Sequence, residues 1–304
     1  METVNTMKYF KLIIITFLLQ TIAFGQENES VTSRVKINEI QTSVNYSTDQ
    51  ANSGSLADFM ALAPQSNFLK TNFNNYSNNF DEMMPKSIPY SLLISLKFSD
   101  KAKTKYNLNS TLRLGLNYFK KTNLIANFHN FTSNTFDTLP SNQNGQIIYF
   151  DSVIENEVNL NHNSENIRLD AAYIYRIRPT SRWSYFTGLG FTLGMVMNSQ
   201  TSISMNTSNK IETYYSSNPS TAYNSYSTTY LNRTELFKNK NSYGFSAYIP
   251  IGIDFRVGKD NEFLKHTHLF YELRADVNII SIPELRNYIN TRTQHGVGIR
   301  ITFN

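Results

Sequence analysis

Cysteine is absent from all 304 residues. That excludes a disulfide framework, a thiolate metal centre, a cysteine nucleophile and a lipid-modified cysteine behind a leader. Tryptophan occurs once, and charged side chains make up 17% of the chain, below the roughly 25% of ordinary soluble domains. Long apolar runs are nearly missing too. Mean hydropathy is −0.38 and one stretch is apolar enough for lipid, so a bundle of membrane helices is excluded. The net charge of +5 is small and its basic residues are scattered, which gives no footprint for nucleic acid. The chain has no GxSxG, phosphate loop, dinucleotide fingerprint or HExxH, so neither cofactor nor metal is expected. What is plentiful is aromatic: 19 tyrosines and 21 phenylalanines.

The exception to the missing apolar runs is at the start. Lys8 and Lys11 precede an apolar stretch from Leu12 to Phe24, and Ala23 and Gly25 sit at the −3 and −1 positions of a cleavage site. This is the layout of a secretory signal peptide over residues 1–25, cut before Gln26, and the stretch is shorter than the roughly 20 residues a spanning helix needs.

Beyond it, seven segments alternate with period two, the signature of strands. One face carries Ile88, Tyr90, Leu92, Ile94, Leu96 and Phe98 in 88–98, and Leu108, Ser110, Leu112, Leu114, Leu116 and Tyr118 in 108–119. It runs from Ile167 to Ile177 in 166–178, from Trp183 to Met197 in 183–197, and from Tyr243 to Val257 in 243–258. The last two are 265–280, with Leu269, Tyr271, Leu273, Ala275, Val277 and Ile279, and 294–303, with His295, Val297, Ile299, Ile301 and Phe303. No Asp, Glu, Lys or Arg falls on that face. The other face holds Lys97, Arg113, Arg168, Asp170, Arg176, Arg178, Asp254, Arg256, Glu272, Arg274, Asp276 and Arg300, with glycines among them.

Such segregation fits either a barrel in lipid, apolar side outward, or a soluble barrel with its apolar side inward. Three features favour lipid. Most of these segments are long enough to cross a bilayer at a tilt. Trp183, Tyr185, Tyr175, Phe98 and Phe255 lie near strand ends, where an aromatic girdle meets the interface. The glycines lie on the polar face, where they relieve crowding in a narrow lumen. Connections are short after the first, third and fifth segments and long at 120–165 and 198–242, the asymmetry of periplasmic turns and extracellular loops. Parity then requires one more strand before residue 88, and Val31 to Tyr46 is the candidate, because an open edge cannot stand in hydrocarbon. Ser55 to Leu62 reads as a short helical turn in the loop that follows.

The expected fold is therefore all-β: a closed antiparallel transmembrane β-barrel of eight strands. It becomes ten if Leu124–Phe131 and Gln146–Val153 form a further hairpin in the wall, although that pair is expected to rise above the membrane. The domain division is a signal peptide over 1–25, an N-terminal segment over 26–87 with the first strand, and the barrel over 88–304.

The leader, the loop asymmetry and the terminal strand Gly296-Val297-Gly298-Ile299-Arg300-Ile301-Thr302-Phe303 resemble the small outer-membrane β-barrel proteins of Gram-negative bacteria. The resemblance implies an outer-membrane location, outer-membrane lipid as a partner, and recognition of the C-terminal strand by the barrel-assembly machinery. Phe303 would be the aromatic of that signal, here followed by Asn304. Some small barrels of this kind are enzymes on lipids or peptides, so His266 and His268, which share inward parity with Glu272 and Asp276, are candidates for a base. Their position near the periplasmic strand start favours a hydrogen-bond network instead. His129 and His162 fall in the first long loop without metal-ligand spacing.

The inward charges read as a plug of ion pairs, since an eight-stranded lumen is filled by side chains and Phe119, Phe186, Tyr248 and Phe270 also point inward. Membrane-interface anchors are Trp183, Tyr185, Tyr175 and Phe303. The Tyr-rich loop 198–242 suits recognition of an extracellular ligand. Asp137-Thr138-Leu139 and Asp151-Ser152-Val153 resemble a short bacterial O-glycosylation pattern. The expected function is a non-catalytic outer-membrane barrel with a structural, surface-interaction or limited transport role. A narrow porin-like channel, a rim hydrolase and a soluble secreted ligand-binding barrel are the rivals.

Overall fold

The computed structural model describes residues 35–48, 51–78, 86–98, 109–140, 147–215 and 224–303. The expected leader and the start of the 26–87 segment lie outside the described residues. The long strands are β1 (Val35–Thr48), β2 (Tyr90–Phe98), β3 (Ser110–Pro140), β4 (Ile147–Ile177), β5 (Trp183–Tyr215), β6 (Asn224–Lys238), β7 (Ser242–Arg256), β8 (Thr267–Ser281) and β9 (Asn287–Thr302), and three two-residue strands lie between β1 and β2. Two helices are α1 (Leu56–Leu62) and α2 (Glu262–His266).

Pairing closes a ring. Strand β1 pairs with β2, β2 with β3, β3 with β4 and β4 with β5. The circuit continues from β5 to β7, β8 and β9, and β9 returns to β1, with every seam antiparallel. β6 and β7 both run down β5, β6 along Gln200–Thr213 and β7 along Trp183–Val196, so they are two halves of one wall strand. The wall therefore has eight strands. The first is β1, and its polar inward positions Glu39, Gln41, Ser43 and Asn45 are all buried.

The segments expected as long loops are not loops. β3 and β4 are each 31 residues long and β5 is 33, so half of the wall continues upward as a four-stranded sheet of β3, β4, β5 and β6. The hairpin expected at Leu124–Phe131 adds length to β3 rather than a ninth and tenth wall strand. Two irregularities hid this continuity. In β3 the register shifts between Thr122 and Leu124: below it Arg113, Asn117, Phe119 and Lys121 face inward, above it Leu124, Ala126 and Phe128 do. In β5 the residues opposite Asn163 and Glu165 step from Gln200 to Met197, and Asn198 takes φ 50. One extra residue reverses the facing of everything beyond it.

The reversed parity gives the upper sheet an apolar inner face, and the segment between β1 and β2 covers it. Here α1 begins at Ser55, whose hydroxyl accepts from the Asp58 N–H while the Asp58 carboxylate accepts from the Ser55 N–H at 2.8 Å, a reciprocal cap. Phe59, Leu62 and Leu69 pack against Leu124, Phe128, Leu160 and Ile203, with Ile280, Ile282 and Tyr288 closing the side. Polar ties hold this cap in place: Ser66 donates to Glu235 at 2.6 Å, and Asn239 donates to the Leu62 carbonyl at 2.7 Å.

Candidate functional site

The chain presents two chemically opposed surfaces, a lumen and an outer belt, set by the same alternation.

In the lumen, β3 carries Arg113 and β8 carries Glu272 and Arg274. Arg113 donates to Glu272 at 2.5 and 3.1 Å, and Arg274 pairs with the same carboxylate and donates to Asp170 at 3.1 Å. The Tyr248 hydroxyl donates to Asp170 at 2.5 Å and Asn117 donates to it at 2.8 Å. Nearer the short turns, Glu39 is shared by Arg300 and Arg176, Arg300 donates to Asp254 at 2.7 and 2.8 Å, and His268 Nδ1 lies 2.6 Å from Asp254. Towards the cap, Arg292 donates to Asp276 at 2.7 Å, and Arg168 donates to Asn278 at 2.6 Å. Charges removed from water persist because each meets an opposite charge or a hydrogen-bond partner.

Aromatic rings fill the remaining space. The Arg168 and Arg292 guanidiniums lie over Phe119, at 5.1 and 5.3 Å from its centroid, and Arg274 lies over Tyr248 at 4.9 Å. Glycines on neighbouring strands make room: a Cβ on Gly190 would lie 2.4 Å from the Tyr248 ring, and one on Gly252 2.1 Å from the Phe186 ring. A cavity of about 10 Å³, the space of one water, remains beside Asn117, Arg168, Tyr248, Arg274 and Arg292.

Of the twelve charged lumen residues expected from parity, Arg113, Arg168, Asp170, Arg176, Asp254, Glu272, Arg274, Asp276 and Arg300 are buried. Lys97 and Arg256 are half-buried near the short-turn end and make no ion pair among the described residues. Arg178 is a correction: β4 ends at Ile177, and Arg178 turns through φ 52 into an exposed position. Glu39 and Arg292 belong to the network but were not read from the sequence. The parity of β1 shifts between Ile37 and Glu39, and Arg292 precedes the last apolar-polar run. Alternation of Glu39, Gln41, Ser43 and Asn45 was the signal available.

His266 and His268 do not form a base with Glu272. His268 is buried against Asp254 and Arg300, and His266 lies at the end of α2 beside Thr302. His129 and His162 are on β3 and β4 of the upper sheet, His129 paired with Glu155 at 2.8 Å and His162 beside Thr201 at 3.1 Å. Among the described residues no group of His, Asp or Glu is arranged to hold a metal.

Outside, the exposed side chains are Leu, Ile, Val, Phe and Tyr: Leu169, Leu189, Leu193, Ile251 and Val297 are each at least 55% exposed. The belt stops where Lys120 and Glu165 pair at 2.5 Å, one step above the Tyr118–Ile167 rung. Tyr46, Tyr90 and Tyr243 stand exposed toward that end, and Tyr175, Trp183 and Tyr185 toward the other. Phe303 is half-buried, and its N–H donates to the Asn38 carbonyl at 2.7 Å, extending the β9–β1 seam. No described helix is long and apolar enough to cross a membrane.

No protein-family model matches the sequence, and no curated protein matches it. Among solved structures, the chain is similar to neisserial surface protein A at 11% identity and a TM-score of 0.30, over 89% of this chain and all of that one. It is similar to Ail, the attachment invasion locus protein of Yersinia pestis, at 10% identity and 0.24, over 88% of this chain and all of that one. The beta domain of the Bordetella autotransporter BrkA stands at 11% and 0.23, over 88% of this chain and all of that one. Scores this low carry no argument about role, and the barrel rests on its own strand pairing.

Proposed function

We propose that the chain is an integral outer-membrane protein whose barrel is an occluded, non-catalytic anchor and whose four-stranded sheet is the working part, held outside the membrane for surface interaction. One observation carries this reading: a sealed ring has its charges buried inside and an apolar belt outside. A soluble barrel would be the reverse, because exposing such a belt to water costs about 25 cal/mol for each Å². Closure supports it further, since it leaves no backbone edge in hydrocarbon.

The lumen argues against conduction. Side chains from opposite walls meet across it, as in the Arg113–Glu272 pair, and the cap stands over its upper end. The sheet rises roughly 65 Å along β3 beyond Lys120, at about 3.3 Å per residue.

The test has two parts. Detergent-extracted protein should migrate differently on SDS gels before and after boiling, and identical mobility would end the barrel-anchor reading. In a planar bilayer the refolded protein should be silent, and reproducible conductance steps would replace the plug with a pore.

A further inference from the structure

A corner of the barrel at the β4–β5 turn gathers cations that the lumen network does not use. The Ser181 N–H donates to the Arg178 carbonyl at 3.0 Å, so Arg178 and Arg182 flank one tight turn. Arg256 joins the corner through its N–H, which donates to the Arg182 carbonyl at 2.8 Å. None of the three arginines makes an ion pair among the described residues, and Arg178 and Arg182 are exposed. The Arg182 guanidinium lies 4.8 Å from the centroid of Phe255, and that ring packs at 4.6 Å from Trp183. Trp183 and Phe255 face outward on paired positions of β5 and β7, at the end of the apolar belt.

An aromatic pair anchored at that depth holds the guanidinium at the level of lipid phosphates rather than in bulk water. A planar guanidinium donates two parallel hydrogen bonds to a phosphate, and a second cation across a tight turn selects a headgroup with net negative charge.

We propose that Arg182, stacked on Phe255, and Arg178 across the turn form a binding site for the headgroup phosphate of an anionic phospholipid in the leaflet next to the short turns. This rests on the membrane reading above and adds a lipid class to it. Anionic lipid should be enriched at this corner by roughly two- to fivefold over its share of the bilayer.

Trp183 is the sole tryptophan, so its fluorescence reports this corner without labelling. The protein is refolded into phosphatidylcholine vesicles containing equal mole fractions of either brominated phosphatidylglycerol or brominated phosphatidylcholine, and contact quenching by bromine is measured. Quenching by the anionic lipid should exceed that by the zwitterionic one, and the excess should vanish in Arg178→Gln/Arg182→Gln while the gel shift on boiling persists. Arg182→Lys, which keeps the charge and loses the planar fork, should retain part of the excess. Equal quenching in the parent protein overturns the lipid site and leaves the membrane reading intact. An excess that survives the double substitution overturns the assignment to these arginines. No quenching by either lipid overturns the membrane reading itself.

Discussion

Glu272 accepts hydrogen bonds from two guanidiniums at once, those of Arg113 and Arg274, in the middle of the lumen. Replacing it with glutamine removes the charge and leaves two buried cations with less compensation. Glu272→Gln should therefore lower resistance to urea in vesicles by about 3–5 kcal/mol, the cost of breaking a buried pair from one side. The pair Arg113→Met/Glu272→Met should cost less than that single change, because no charge is stranded. His162, above the belt, is a second residue with a measurable signature. Burial at the rim disfavours its charged form and pulls its pKa down to about 4, against hydrogen bonding to Asn239 and the field of Glu284. The unfolded chain takes up that proton near pH 6.5, while the folded state resists until about pH 4. Stability should thus decline as pH falls through that window, and His162→Gln should flatten this part of the pH profile of unfolding. An unchanged profile in the variant would show that His162 is not the group responsible.

Strand length is where single residues act on whole elements. Asn198 occupies the left-handed region at the point where β5 reverses its facing, and asparagine and glycine tolerate that conformation better than branched residues. Asn198→Val should destabilise the upper sheet by about 1–2 kcal/mol while Asn198→Gly is nearly neutral, read by protease sensitivity of residues beyond Gln200. The same reversal explains which parts of the fold were legible. The alternating segments that ran up to residues 119 and 197 ended at the edge of the belt, because the register shifts there exchange the two faces of the strand. Past Thr122 and Asn198 the phase changes, so the strand is unbroken although the pattern breaks. A short helix at Ser55–Leu62 was readable because Ser55 and Asp58 form a local capping pair that needs no tertiary partner. Arg178 was misplaced for the opposite reason: parity extends naturally past a strand end that only the turn reveals.

For the molecule as a whole, the cap and the barrel should be separable in energy. The ring is closed by its own backbone pairing and lumen ion pairs, whereas the cap is held by the apolar cluster around Phe59 and Leu124 and by the ties at Glu235 and Asn239. Replacing residues 51–78 with a Gly-Ser linker should leave the gel shift on boiling intact and make the β3–β6 sheet sensitive to protease. Loss of the shift would show that the barrel depends on its cap. The chain alone determined that apolar and charged side chains take opposite faces of each strand, because alternation is a local property, and the closed ring decided that the apolar face is the outer one. It also required an even count and one more strand before residue 88, through parity and the need to close the edge, while the choice of eight over ten came from the unbroken course of β3 and β4. Only the tertiary structure decided which carboxylate each arginine meets, since Glu39 and Arg300, or Arg113 and Glu272, come from strands far apart in sequence and join only when the ring closes. It decided, too, that the long segments stand up as a sheet with a covered inner face, because a bulge changes facing without changing composition.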